Sequence, residues 1–321
     1  MLVTIPSLYC PFEAKIHPQL PLIEQHTNDW IRSFDLLTSE EHYIAFKSYK
    51  FAKMTARTYP TASLAFINAA SCLNTWLFVL DDMLDHINEQ TEKIRDEKFL
   101  KKLVGDFVTI FRYNKLPNKS PETYNILASL EDIWQRFIPL TSPTWQSQFT
   151  ISFTATFQAA FWEAENAVKH RNISLSSYKL MRQFFSGANL GTDMVEPATG
   201  IQLPYYVQQE RTFMQCVELI RRVICWANDI FSLEKELAHG DSHNLVCVLA
   251  NEYDISIEKA IDKAAELHDA EIAQFMQLKQ ELPSYGEAVD AQIQSYFLAM
   301  ETMVKGFIDW SVKDSLRYIR D

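Results

Sequence analysis

Residues Leu64–Asp85 read LAFINAASCLNTWLFVLDDMLD, an apolar run to Leu80 that ends abruptly on the carboxylates of Asp81, Asp82 and Asp85. The run holds no Pro or Gly, so nothing in it breaks a helix. Asn68, Ser71, Asn74 and Thr75 interrupt it, and it is too short and too polar for a bilayer span. The reading that fits is a helix buried inside a soluble protein. On such a helix Asp81 and Asp85 lie one turn apart, about 6 Å along the axis, on one face. Carboxylates so placed repel each other unless a cation sits between them. Oxygen-only ligands suit Mg²⁺, which keeps several waters and shares substrate phosphates. The same three Asp also fit a solvated helix end, so this stretch alone leaves the chemistry open.

The rest of the chain agrees with a helical fold. Prolines cluster near the start (Pro6, Pro11, Pro18, Pro21) and leave 61–116, 144–196 and 205–282 free for unbroken helix. In the second interval Phe149, Phe153, Phe157 and Phe161 recur every four residues, the period of a helical stripe and of core packing. Only 7 of 321 residues are Gly, where average usage gives roughly 22. That poverty argues against turn-rich β folds and against Gly-rich phosphate loops. Loop signals fall at Asn114 to Pro121, Thr141 to Pro143, Gly187 to Pro204, His239 to Ser242 and Pro283 to Gly286. With no repeat or linker between them, residues 1–321 are read as one all-α domain, a bundle of antiparallel helices.

Composition narrows the partners. A formal net charge of −11 disfavours nucleic acid or anionic lipid, which need a basic surface, so an anionic substrate must be held locally. The five cysteines, Cys10, Cys72, Cys216, Cys225 and Cys247, are widely spread without a C-x-x-C pair, as expected of unbridged thiols in a reducing compartment. Met1 to Phe12 lacks the features of a signal peptide. The expectation is a cytoplasmic protein without a membrane span.

A second constellation gives the first its meaning. After the apolar stretch Cys216–Ala227 the chain continues NDIFSLEKE, Asn228–Glu236. Asn228, Ser232 and Glu236 stand at i, i+4 and i+8, so an amide oxygen, a hydroxyl and a carboxylate line one helical stripe. Its bland alternative is an amphipathic helix with a charged end. Two apolar helices, each leading to oxygen ligands, suit a deep apolar cavity that takes a molecule with a greasy body and a polyphosphate head.

These two motifs resemble the aspartate-rich motif and the N-D-x-x-S-x-x-K-E motif of class I terpene synthases of the bacterial type. Two further elements of that family have counterparts. Arg182, in Tyr178-x-x-x-Arg182, stands 46 residues before Asn228 where a diphosphate sensor is expected, and Trp310 is followed by the pair Arg317-Tyr318. The resemblance runs from Asp81 to Tyr318. It implies antiparallel helices around a central cavity, and a lyase reaction in which three Mg²⁺ ions trigger loss of diphosphate from a linear prenyl diphosphate, whose allylic cation then cyclises.

By the same resemblance Asp81 and Asp85 hold two ions, with Asp82 in the set chiefly to orient neighbouring basic groups, and Asn228, Ser232 and Glu236 hold the third. Arg182, Lys235, Arg317 and the Tyr318 hydroxyl would bind the diphosphate. Phe185 and Ser186 occupy the positions of a linker and of an effector carbonyl at a helix break, with Gly187 and Gly191 as break points. Phe185 is apolar where the family has a polar linker, which puts the sensor-to-effector chain in doubt. Trp76, Phe78, Phe184, Phe185 and Trp310 are candidates for an aromatic cavity wall that attracts cations without reacting.

A chain of this size favours farnesyl diphosphate and a sesquiterpene. The alternatives are geranylgeranyl diphosphate giving a diterpene, a water-quenched alcohol, prenyl-chain elongation, and a non-catalytic isoprenoid binder. A homodimer is expected by family analogy only. His239 and His243 have zinc-like spacing but are read as exposed loop residues, and His268-Asp269 lacks a matching His upstream.

Overall fold

The computed structural model describes residues 5–90, 97–117, 123–168, 171–239 and 243–318; the side chains of 84–90, 97, 167, 168 and 239 lie outside the description, Asp85 and His239 among them. Among the described residues there is no strand. The helices are α1 (Leu20–Ser33), α2 (Glu40–Ser48), α3 (Phe51–Thr58), α4 (Leu64–Gln90), α5 (Glu97–Tyr113), α6 (Tyr124–Phe137), α7 (Pro143–Val168) and α8 (Leu175–Phe185). They continue with α9 (Ala188–Asp193), α10 (Val195–Thr199), α11 (Tyr205–Gln208), α12 (Arg211–His239), α13 (Leu245–Tyr253), α14 (Ile257–Glu281) and α15 (Glu287–Asp309), after which Trp310–Asp314 form a wider π-helical turn. The three proline-free intervals hold the three longest helices, α4, α12 and all of α7 but its first residue, Pro143.

Local chemistry sets several boundaries. Ser39, Ser174, Asn244 and Ser256 each cap a helix start with a side-chain oxygen that accepts a backbone N–H. Gly187, at φ +74°, ends α8 in the left-handed region that glycine adopts without strain. The loop expected at Gly187 to Pro204 is largely helical: α9 and α10 fill it, because their buried faces (Leu190, Val195, Ala198) dock on the core. Gly191 is accordingly no break point. It lies inside α9, where its carbonyl accepts the Tyr59 hydroxyl at 2.7 Å.

Two long helices dominate the core. Helix α4 packs against α1, α3 and α6, burying Ile67, Ala69, Ala70, Cys72, Leu73 and Trp76 completely. Its run Leu64–Met83 is, contrary to expectation, long and apolar enough to cross a bilayer by length and composition, because the helix continues past Leu80. Yet 61% of its most apolar window is buried against neighbouring helices, as in the core helix of a soluble fold. Helix α12 packs against α14, α13, α15, α8 and α9.

Three of the four phenylalanines of the α7 stripe are core: Phe149, Phe153 and Phe157 meet Phe107, Phe111, Trp134 and Trp145, while Phe161 is half-buried. Gly306 lets α15 approach α3 closely, since a Cβ there would stand 2.7 Å from the Arg57 carbonyl oxygen. Asp309 and Asp314 then tie the end of α15 and the turn after it to Arg57, with Lys53 a second partner of Asp314. All five cysteines are free thiols.

Candidate active site

The second motif is the better enclosed. Asn228 Oδ1 accepts from Arg182 Nη2 at 2.7 Å, and Asn228 Nδ2 donates to the Tyr318 hydroxyl at 2.9 Å, which fixes the amide in its plane. Ser232 Oγ donates to Glu236 Oε1 at 2.6 Å. The three side chains therefore share one stripe of α12, as the i, i+4, i+8 spacing predicts. Burial pushes the Glu236 carboxyl up to about 7. Asp229 adds to this, while Arg182 and the hydrogen bonds from Ser232 and Asn244 oppose it.

Behind this stripe lies a residue to which the sequence reading gave no role. Asp229, fully buried, accepts from Arg182 Nε at 2.8 Å, from the Tyr178 hydroxyl at 2.7 Å and from the Leu245 amide at 3.0 Å, and its Oδ1 forms an ion pair with Arg182 Nη2 at 2.6 Å. Burial pushes its carboxyl up, and Arg182, Tyr178 and Leu245 pull it back. An anion with three donors orients the guanidinium that faces Asn228. The sequence offers one signal for it: Tyr178 stands one helical turn before Arg182.

The first motif is a rim. Asp81, where the most apolar part of α4 gives way to carboxylates, is 60% exposed and Asp82 17%. Arg317, only 5% exposed, reaches both: its Nη2 stands 3.3 Å from Asp81 Oδ2 and 3.0 Å from Asp82 Oδ1, and its Nη1 3.3 Å from Asp82 Oδ2. Lys235 Nζ, from the opposite helix, approaches Asp82 Oδ1 at 3.9 Å. The Arg317 guanidinium lies over the rings of Phe78 (4.8 Å), Tyr49 (5.4 Å) and Phe51 (5.5 Å), whose faces stabilise a cation.

The two motifs thus face each other across the C-terminal segment. Arg317 touches Asp81 and Asp82, its neighbour Tyr318 touches Asn228, and Lys235 closes the gap from α12 to Asp82. Asp85 belongs to the side chains outside the description. Among the described residues no three His, Cys, Asp or Glu side chains gather as a ligand set. The donors brought together are hard oxygens, an amide, a hydroxyl and carboxylates, beside three cationic side chains. That chemistry fits Mg²⁺ with a phosphate-bearing ligand and does not fit a soft metal.

The remaining candidates divide. Phe78, half-buried, stacks on Phe51 at 4.0 Å beneath Arg317. Phe185, half-buried, lies 4.9 Å under the Arg182 guanidinium, so this apolar residue touches the sensor position through its ring face. Ser186 follows at the end of α8, its hydroxyl 3.1 Å from Cys225 Sγ, and Phe184 is half-buried beside it. Trp76 faces away from the rim: fully buried, it donates to the Ile126 carbonyl and packs on Phe107 and Phe153. Successive residues on a helix turn by about 100°, so Trp76 and Phe78 occupy nearly opposite sides. Trp310 is fully buried beneath Tyr318 and donates to the Tyr49 carbonyl at 2.7 Å. Asn74 ties α4 to α3 through Thr55 Oγ1 at 2.9 Å. His243 is buried, not exposed, because its carbonyl is drawn in to accept from Tyr178.

Comparison with known proteins places this arrangement among relatives. Residues 72–274 match the family model described as terpene synthase family 2, C-terminal metal binding. The chain is 29% identical over 307 residues to the (+)-T-muurolol synthase, (2E,6E)-farnesyl diphosphate cyclizing, of Roseiflexus castenholzii, covering 95% of this chain and 91% of that one. It is also 29% identical over 303 residues to the (+)-eremophilene synthase of Sorangium cellulosum, covering 94% and 89%. The crystal structure of an α-eudesmol synthase superposes with a TM-score of 0.85 at 20% identity, over 97% of this chain and 100% of that one, which shows a common fold.

Proposed function

Because the chain belongs to terpene synthase family 2, we propose that it is a Mg²⁺-dependent cyclase that ionises a linear prenyl diphosphate, releases diphosphate and closes the resulting allylic cation into a ring. Farnesyl diphosphate is the substrate of first choice and a sesquiterpene the product. The observation that carries the reading is the bridge of Arg317 and Tyr318 between Asp81, Asp82 and Asn228. It sets two oxygen motifs and several fixed donors around one point, as a departing diphosphate requires. The relative named for farnesyl diphosphate supports the chain length, and its name, an alcohol, makes a water-quenched product worth seeking.

In this reading Asp81 and Asp85, and Asn228, Ser232 and Glu236, would hold the metal, three ions in all. Bound Mg²⁺ supplies the positive charge that neutralises diphosphate as its bond to carbon breaks. Arg182, Lys235, Arg317 and the Tyr318 hydroxyl donate to the diphosphate oxygens, the arginines through planar forks. Asp229 and Tyr178 hold Arg182 in place. Phe78 and Phe185, each under one of those arginines, offer ring faces toward positive charge and no nucleophile. The whole chain, 1–321, acts as one catalytic domain.

The test is to offer geranyl, farnesyl and geranylgeranyl diphosphates separately with Mg²⁺ and to analyse the hydrocarbon extract and the released diphosphate. A cyclic C15 product from farnesyl diphosphate alone is expected. A C20 product would move the substrate assignment. A longer diphosphate formed with isopentenyl diphosphate, or no diphosphate release from any substrate, would overturn the cyclase reading.

A further inference from the structure

Three successive residues at the start of α13 grip the second motif from behind. The His243 carbonyl accepts the Tyr178 hydroxyl at 3.1 Å, and the Leu245 amide donates to Asp229 Oδ2 at 3.0 Å. Between them Asn244, fully buried, uses every hydrogen-bonding group of its side chain. Its Nδ2 donates to Glu236 Oε2 at 2.8 Å and to the Asp229 carbonyl at 2.7 Å, and its Oδ1 accepts from the Val246 amide at 2.8 Å. Glu236 is therefore held at both oxygens, Oε1 by Ser232 and Oε2 by Asn244.

A Glu side chain has three rotatable bonds, and a ligand that must find its rotamer on each binding event loses affinity to entropy. Asn244 removes that freedom. It spans from the backbone of the helix at Asp229 to the carboxylate two turns later, and it is itself locked by the cap it makes on α13. We infer that Asn244 is a positioning residue for the Glu236 carboxylate, setting the affinity of the site for its divalent cation and not the chemistry of ionisation. The inference rests on the reading of Glu236 as a metal ligand. Outer partners of metal ligands are worth roughly 10- to 100-fold in metal affinity.

The cap and the clamp can be separated. Ser is as good a helix cap as Asn but is too short to reach Glu236, so Asn244→Ser keeps the cap and removes the clamp. Asn244→Asp also keeps the cap and sets an anion against Glu236. For each variant, in the full-length enzyme, Mn²⁺ binding in the presence of inorganic diphosphate is measured by electron paramagnetic resonance. The Mg²⁺ concentration for half-maximal turnover and the melting temperature are measured alongside.

The expected result for Asn244→Ser is a rise of roughly 10- to 100-fold in the Mg²⁺ requirement, weaker binding of one Mn²⁺, and kcat recovered at saturating Mg²⁺. Asn244→Asp should be weaker still. Adding Asn244→Ser to Glu236→Ala should change metal binding no further, because the clamp then has nothing to hold; a merely structural Asn244 would give additive losses. If Glu236→Ala weakens Mn²⁺ binding and both Asn244 variants bind it like the parent, the positioning role falls and the metal reading stands. If Glu236→Ala itself binds Mn²⁺ like the parent, both fall.

Discussion

The two oxygen motifs differ in how completely the fold has committed them. On α4, Asp81 is 60% exposed and its contact within the rim is with Arg317. On α12, Asn228 is fixed by Arg182 of α8 and Tyr318 of the C-terminal segment, Glu236 by Asn244 at the α13 start, and Ser232 by the Asn228 carbonyl and Glu236 on its own helix. One motif is an open rim and the other a finished bracket. The difference teaches that a symmetrical role need not be built symmetrically. A bracket with satisfied hydrogen bonds is ready before ligand arrives, whereas the rim is held by a cation, Arg317, that the diphosphate would share.

The sharpest way to break the comparison is to remove one ligand from each side. Asn228→Ala and Asp81→Ala should each cut turnover on the order of 10³-fold, the scale of losing a preorganised group that stabilises developing charge. They should part company in stability. Thermal unfolding of Asp81→Ala is expected within about 1 kcal/mol of the parent, as for an exposed ion pair, while Asn228→Ala should melt lower because Arg182 and Tyr318 lose a partner. Equal stability losses would erase the distinction drawn here.

Next in size is the anchor behind the bracket. Asp229→Ala leaves a buried Arg182 without its counter-ion and should cost about 3–5 kcal/mol, read by urea unfolding. A loss below about 1 kcal/mol would show that the bracket is not preassembled through this pair. Tyr318→Phe tests the bridge itself: Asn228 Nδ2 loses its acceptor, at a cost of about 1 kcal/mol, and KM for the diphosphate substrate should rise more than kcat falls. Unchanged kinetics would remove Tyr318 from the site.

The smallest effect is one of pH on the segment that carries Arg317 and Tyr318. Burial pushes the Asp309 and Asp314 carboxyls up, but their bonds to Lys305 and Lys313, and to Arg57 and Lys53, outweigh it and hold both below the usual range. A depressed folded-state pKa contributes stability above the unfolded value, about 3.9, that is lost as pH falls through the folded pKa. Melting temperature should therefore decline below about pH 4, and Asp314→Asn should flatten that acid limb. An identical limb in the variant would assign the decline to other carboxylates.

Much of this was legible in the chain. The helix class followed from proline-free intervals, scarce Gly and the four-residue Phe period, all local properties. The stripe Asn228, Ser232, Glu236 followed as directly, because a helix makes i, i+4 and i+8 neighbours wherever it forms. The break at Gly187 was legible too, but the helices α9 and α10 after it were not: short helices are held by docking and not by propensity. Trp76 is near Asp81 in sequence, but only two residues separate it from Phe78, and on a helix that reverses the facing direction.

What the sequence determined alone was therefore periodic: the helices, their apolar faces and the side chains that share one. Tertiary structure decided everything that depends on distance between helices. It brought Arg317 to Asp81 across more than two hundred residues, turned Asp229 inward onto Arg182, and folded Asn244 back onto Glu236. Local order needs only the geometry of one helix, whereas these contacts depend on which faces the packed core leaves opposite each other, a property of the whole chain and of no single motif.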